Sequence, residues 1–291
     1  MQTEIFLTGT GYPRPHALRA GPGALVRRGS TVLQFDAGRG TALRLAALGI
    51  SCRDLSAVFL SHHHSDHLVA LPDLALSRWT VRDRDHEDSP LEIVAPQGPA
   101  QHFVEQLLDI WRDDIAVRCT QTRRTSRPAI ACRSFAASES AVEIWRNTDL
   151  CVSARKVHHE PVDPALAFRI SSAEGVVVIS GDTRVCDEVA ELAADADVLV
   201  HEVIRRKPIE DAGYASILDY HAESVALGRM AAAIRVPVLM LTHLIPAPDT
   251  VQQEQCYIDE IREGGYQGRI IVGRDLSQVN LPLAGAAQGP A

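Results

Sequence analysis

Four of the chain's 12 histidines fall within six positions, in the run Ser61-His62-His63-His64-Ser65-Asp66-His67. Imidazole nitrogens and carboxylate oxygens are the usual ligands of catalytic zinc, which keeps one coordination position open for water. Side chains two apart in an extended segment project to the same side, so His62 and His64 can share one ion. A turn at Ser65 sends Asp66 and His67 toward a second ion, and His63 faces away as a bystander. The bland reading is a polar surface turn that happens to be rich in histidine. So dense a cluster in 291 residues fits it poorly. Metal-assisted hydrolysis is the chemistry this segment suits.

Rigid elements must position such a cluster. Residues 57–60 form a short apolar, β-rich run immediately before it, and a helical pattern follows over 68–79. Upstream, residues 4–8, 24–28 and 31–36 read as strands, with a Gly/Pro-rich loop over 9–23 and an amphipathic helix from 38–40 to about 48. A charged stretch over 81–90 reads as a surface loop. Downstream, strand-like runs at 91–95, 141–145, 150–157, 165–170, 176–180, 198–201, 238–242 and 269–272 interleave with helical patterns near 99–111, 186–194, 222–234 and 250–263. That alternation predicts an α/β protein of layered sheets with outer helices. Further metal-binding residue types sit just beyond predicted strands: His158/His159, Asp182, His201-Glu202 and His243. Loops at strand ends are where a scaffold usually carries chemistry.

Hydrophobic residues make up 46% of the chain and charged residues 23%, a balance that supports a sizeable core. We expect one catalytic domain over 1–282 and a disordered tail over 283–291. The net charge of −8 opposes general binding to nucleic acid, which relies on Lys and Arg neutralising phosphates. Six scattered cysteines form no C-x-x-C pair, which argues against a cysteine zinc site or a disulfide framework. The N-terminus has no secretory pattern, and no apolar run reaches the ~18 residues of a membrane span. A soluble, cytoplasmic protein away from membranes is the expectation.

The pattern His62-x-His64-x-Asp66-His67 after an apolar strand resembles the signature of the metallo-β-lactamase superfamily. Val157-His158-His159, Ser180-Gly181-Asp182-Thr183 and Leu241-Thr242-His243 follow in that superfamily's order. Thr8-Gly9-Thr10-Gly11, Phe35-Asp36-Ala37-Gly38, Val200-His201-Glu202 and Tyr220-His221-Ala222-Glu223 resemble its ribonuclease Z-like branch. The resemblance implies an αββα sandwich, with two β-sheets face to face and helices on both outer faces. It makes His62, His64 and one of His158/His159 the ligands of a first ion, with His159 preferred for its register before Glu160-Pro161-Val162. Asp66, His67 and His243 would hold a second ion, and Asp182 would bridge the two. Zinc, two per chain, is the expected cofactor, with Mn2+ or Fe2+ as alternatives.

Two ions about 3.5–4 Å apart can share a hydroxide that acts as the nucleophile, so no Gly-x-Ser-x-Gly elbow is needed and none is found. By the resemblance Asp66 both binds metal and orients the hydroxide, while His221 protonates the leaving group and Glu202 raises its pKa. In ribonuclease Z a long flexible arm that grips tRNA usually lies between the third metal histidine and the bridging Asp. Asp182 follows His159 by only 23 positions, mostly taken by two predicted strands, so no such arm fits. That spacing and the negative charge lead us to expect a small-molecule ester substrate: a phosphodiester, sulfate ester, carboxylic ester or lactone, as in phosphodiesterases and arylsulfatases. Nucleic acid is not expected, and a tRNA 3′ endonuclease is the alternative. A non-catalytic metal-binding protein is a third reading. Tyr12, Trp79, Tyr214 and Tyr220 are candidates for contact with an organic substrate or for ordinary packing. A homodimer is compatible with everything above.

Overall fold

The computed structural model describes residues 1–81, 89–123 and 125–284. Of the expected loop over 81–90 and tail over 283–291, residues 82–88 and 285–291 lie outside the described residues. Strands that are mostly buried on both faces assemble into two seven-stranded sheets. The first contains β1 (Thr3–Gly9), β2 (Gly23–Arg28), β3 (Thr31–Phe35), β4 (Ala57–Phe59), β5 (Leu91–Pro96) and β6 (Ile130–Phe135) in that order. The second contains β7 (Val142–Arg146), β8 (Cys151–His159), β9 (Val162–Ser172), β10 (Gly175–Ile179), β11 (Val198–Ile204), β12 (Val238–Ile245) and β13 (Arg269–Val272). The last strand, β14 (Gln278–Leu281), returns to pair antiparallel with β1 at the edge of the first sheet.

Each sheet changes character along its width. Strands β3 to β6 run parallel, as do β10 to β13, and the remaining neighbours are antiparallel. Parallel neighbours need crossover connections, and these supply the helices. They are α1 (Thr41–Ala47), α2 (Ser65–Leu68), α3 (Leu71–Thr80), α4 (Pro99–Gln106), α5 (Arg112–Thr122), α6 (Asp187–Leu192), α7 (Arg206–Asp211), α8 (Ser224–Ile234) and α9 (Val251–Glu263).

Alternation along the strands divides the core into layers. Leu33, Phe35, Phe59, Phe168, Ile170, Val198 and Val200 meet between the sheets. Their neighbours Val58 and Leu60 pack against Leu45 of α1 and Leu71 and Leu74 of α3. On the other outer face, Leu199 and Leu239 pack against Val189, Leu227 and Ile261 of α6, α8 and α9. The result is the αββα sandwich. At its centre, the Phe35 and Phe59 rings stack at 4.9 Å, with Phe168 5.3 Å from Phe35. Phe168→Ala, which empties a fully buried ring volume between the sheets, is expected to cost about 3–5 kcal/mol of stability; the midpoint shift in urea unfolding checks this.

Two expected helices differ in detail. The pattern over 68–79 breaks at Val69-Ala70 into α2 and α3, because the chain must turn after presenting Asp66 and His67. Residues 99–111 give α4 and a short 3-10 turn, after which α5 runs on to Thr122. That helix buries only Ile115, so it carries no apolar stripe to announce it. No helix among the described residues is long and apolar enough to cross a membrane.

Candidate metal centre

The polar cluster lies at the C-terminal ends of the parallel strands of both sheets, the crevice where open α/β sheets usually bind ligands. After β4, Leu60 still bonds to Val94, and the chain then leaves the sheet. Asp36, at the end of β3, catches it. The Asp36 carboxylate accepts from the Ser61 backbone N–H at 2.8 Å, from Ser61 Oγ at 2.7 Å and from His67 Nδ1 at 2.8 Å. Gly38 lies under the same turn, where a Cβ would stand 2.6 Å from the Asp66 carbonyl oxygen.

These bonds decide the tautomers. Ser61 Oγ donates its hydrogen bond to Asp36, so it accepts from His62 Nδ1 at 2.9 Å, which leaves Nε2 of His62 with a free lone pair. His67 donates from Nδ1 to Asp36 and likewise presents Nε2. His159 donates from Nδ1 to the Tyr220 carbonyl at 3.0 Å, and its Nε2 stands 3.3 Å from Nδ1 of His64. Among the buried atoms without any hydrogen-bond partner are His62 Nε2, Asp66 Oδ2, His67 Nε2 and both ring nitrogens of His243. An orphaned buried polar group costs about 1–3 kcal/mol, so a concentration of them facing one another asks for an unseen partner.

Asp182 stands at the middle. It follows β10 through Gly181, whose φ of 59° and whose approach to the Leu166 carbonyl (2.4 Å from a Cβ there) both exclude a side chain. Its Oδ2 lies 3.3 Å from Nε2 of both His67 and His243, 3.9 Å from that of His159 and 4.0 Å from that of His62. Asp66 Oδ2 lies 3.6 Å from His243 and 3.7 Å from His67. Two donor groups take in the expected ligands, each with ligand atoms within 4.8 Å of one another: His62, His64, His159 and Asp182, and Asp66, His67 and His243; two further groups of the same reach join His221 to Asp182 and His243 and to His159 and Glu202. A divalent ion replaces the missing partners of those atoms, so the residues fit metal.

The electrostatics favour ligand-ready forms at His62, His64 and Asp182. At His67 burial is outweighed by the Asp182 and Asp36 charges, which push the imidazole well above its usual value, so an ion there displaces a proton. Burial and the adjacent imidazoles push His64 down to about 4 and His62 well below its usual value. Burial would raise Asp182, but the surrounding imidazoles of His243 and His67 hold it well below the usual carboxylate range. Because Asp36 fixes the His67 ring and both Ser61 donors at once, Asp36→Asn is expected to weaken metal binding about 10–100-fold while leaving every candidate ligand in place. Competition against a chromogenic chelator measures it.

His221 and Glu202 adjoin the cluster. The Glu202 carboxylate on β11 is fully buried and accepts from His221 Nδ1 at 2.8 and 2.9 Å and from the Thr183 N–H at 2.7 Å. Burial disfavours the charged imidazole, but the Glu202 charge and hydrogen bonds outweigh it and push His221 up to about 8. The His221 ring stacks on His243 at 5.5 Å and meets His159 at 5.0 Å. His158 is not brought to the cluster: alternation on β8 turns it outward, where it pairs with Glu160 at 3.1 Å and Glu188 at 3.3 Å. His63 is also outside it, and His201 turns to the Glu202 carbonyl. Asp36 is the site residue that sequence reasoning left without a role; Phe35-Asp36-Ala37-Gly38 marked the place but not the bonds.

Residues 32–244 match the profile of the beta-lactamase superfamily domain. A protein of Mycobacterium bovis named Ribonuclease Z is 37% identical over 282 residues, covering 96% of this chain and 98% of that protein. One of Mycobacterium tuberculosis with the same name is 36% identical over the same span. Among solved structures, the metallo-beta-lactamase fold protein YhfI from Bacillus subtilis superposes with a TM-score of 0.74 at 19% identity, covering 96% of this chain and all of that one. The short form of human tRNase Z gives 0.67 at 20% identity, covering 96% and 100%. The relatives overturn the expectation of a small-ester substrate with nucleic acid excluded. The arm argument fails because the named relatives are covered almost end to end and so hold no long segment that this chain lacks. The charge argument fails because −8 is a whole-chain total, whereas a phosphate meets the local field. Beside the cluster, Arg14 and Arg39 are exposed and have no carboxylate partner among the described residues; Arg39 bonds only the Pro13 carbonyl at 3.0 Å.

Proposed function

The chain belongs to the metallo-β-lactamase superfamily, in its ribonuclease Z-like branch, and is a metal-dependent hydrolase; from that premise we propose that it is a ribonuclease Z-type endonuclease that cleaves precursor tRNA at its 3′ end. The observation that carries this reading is near-full-length similarity to proteins of that name, in a chain whose ligand types converge on one crevice. His62, His64 and His159 would hold one zinc ion, Asp66, His67 and His243 a second, and Asp182 would serve both. Such a pair supplies Lewis acidity toward the phosphodiester and makes water nucleophilic at neutral pH.

The remaining work falls to the chain's own groups. His221, held by Glu202 through Nδ1, keeps Nε2 free to deliver a proton to the oxygen that departs from phosphorus. Glu202 also fixes Thr183, the residue after Asp182, so one buried carboxylate sets the distance between the proton donor and the metal cluster. Arg14 and Arg39 attract the phosphate backbone to the rim. Incubating the zinc-loaded protein with a precursor tRNA bearing a 3′ trailer tests the reading: a single endonucleolytic cut that releases the trailer is expected. Intact precursor under conditions where a small phosphodiester is turned over refutes it.

A further inference from the structure

Besides adjoining the metal cluster, His221 borders an open space. It lines a cavity of about 300 Å3 bounded by Tyr12, Arg14, Tyr214, Ile217, Tyr220 and Ile245. The walls are apolar and aromatic, and Tyr12 and Ile217 pack onto the small cluster of Ile204, Ile209 and Ile245 beneath. The Arg14 guanidinium lies 5.2 Å from the centre of the Tyr214 ring, at one side of the cavity. Among the described residues, none of the hydroxyls of Tyr12, Tyr214 and Tyr220 has a hydrogen-bond partner, and Arg14 has no carboxylate. Flat apolar walls with phenol groups at their rim, and a guanidinium held on one of the rings with no carboxylate among the described residues, match a planar heteroaromatic ring attached to a phosphate.

We propose that this cavity receives the unpaired base of the nucleoside that leaves when the phosphodiester is cut, stacked against Tyr214 with Arg14 toward its backbone. The inference rests on the ribonuclease reading and adds to it where the base goes. In hydrolysis, water's oxygen bonds to phosphorus, the bond from phosphorus to the leaving nucleoside breaks, and the departing oxygen takes the His221 proton. The group that gives that proton borders both the cluster and the cavity, so the leaving nucleoside is the one beside the cavity. Stacking on an aromatic side chain is sequence-tolerant, because every base has a π-face. The cavity therefore selects for an unpaired base rather than for a particular one.

A paired substitution tests this. One precursor tRNA carries a normal nucleotide at the leaving position and a second carries an abasic ribose there; each is cut by wild type, Tyr214→Ala and Tyr214→Phe. Tyr214 is half exposed, so the alanine variant is expected to fold, and circular dichroism checks it. Removing the base should raise the wild-type KM roughly tenfold to a hundredfold, with a smaller change in kcat. Tyr214→Ala should raise it similarly on the normal RNA and lose nothing further on the abasic one, while Tyr214→Phe should retain the base effect. An abasic precursor cut with unchanged KM, or losses that simply multiply, overturns the cavity inference and leaves the ribonuclease reading standing. Calorimetric titration with adenosine 3′-monophosphate separates the reverse case. Binding that weakens in Tyr214→Ala supports the cavity even if no RNA is cut, and absence of binding by wild type overturns it.

Discussion

Asp182→Ala is expected to abolish hydrolysis and to remove metal from both donor groups. Among the described residues, the carboxylate is the only one within 4.0 Å of His62, His67, His159 and His243 together, and it is almost fully buried. Without it, His62, His64 and His159 keep no carboxylate in their donor group and His67 and His243 keep only Asp66, so the site's affinity for cations falls. The ions contribute several kcal/mol of charge stabilisation in the transition state, so activity should fall by at least about three orders of magnitude. His243→Ala should act more narrowly, because it removes one ligand of the group with Asp66 and His67. Elemental analysis of the purified variants checks both: Asp182→Ala near zero, and His243→Ala retaining part of the wild-type content. Full metal content and normal turnover in Asp182→Ala would contradict the assignment.

His221→Ala should keep the metal and lose the chemistry. A positioned general acid contributes about 10²–10⁴-fold, and the loss should appear in kcat. It should be largest for leaving groups that need a proton, such as the ribose oxygen of RNA, and small for nitrophenolate, which departs as a stable anion. The pH profile carries the sign. His221, pushed up to about 8 by Glu202, is charged below that pH and loses its proton above it, so the rate on RNA should decline as pH rises through that range. Glu202→Gln removes the anion that holds the proton, so the alkaline limb should move to lower pH. Equal losses on RNA and on a nitrophenyl diester would reassign His221 to substrate positioning.

What the sequence reveals depends on how local each feature is. His62 to His67 is legible because spacing within one short segment already states which side chains share a side. His159, Asp182 and His243 are ordinary residues one by one, and only their order pointed to a common site, which the fold then built by bringing the ends of β8, β10 and β12, separated in the sheet by β9 and β11, to one crevice. The two strand-rich halves and most helices follow from periodicity, whereas α5 and the exposed edge strand β6 do not, since neither buries a regular apolar face. Among the four aromatic candidates, Trp79 is buried and donates its indole N–H to the Ser126 carbonyl at 3.1 Å, which is packing. Tyr12, Tyr214 and Tyr220 converge on one cavity from positions some 200 residues apart, a meeting that no local pattern encodes. The small-ester expectation leaned on net charge, a whole-chain total, and on one local spacing; neither reports the field at the crevice, where Arg14 and Arg39 stand exposed.

Metal-restored cleavage of precursor tRNA tests the central claim most directly. The protein is stripped with a chelator, dialysed, and assayed on one labelled precursor before and after zinc is added back, with Asp182→Ala alongside. Release of the 3′ trailer only by the zinc-restored wild type is the predicted result. Trailer release by the stripped protein, or none from the restored protein, would contradict it.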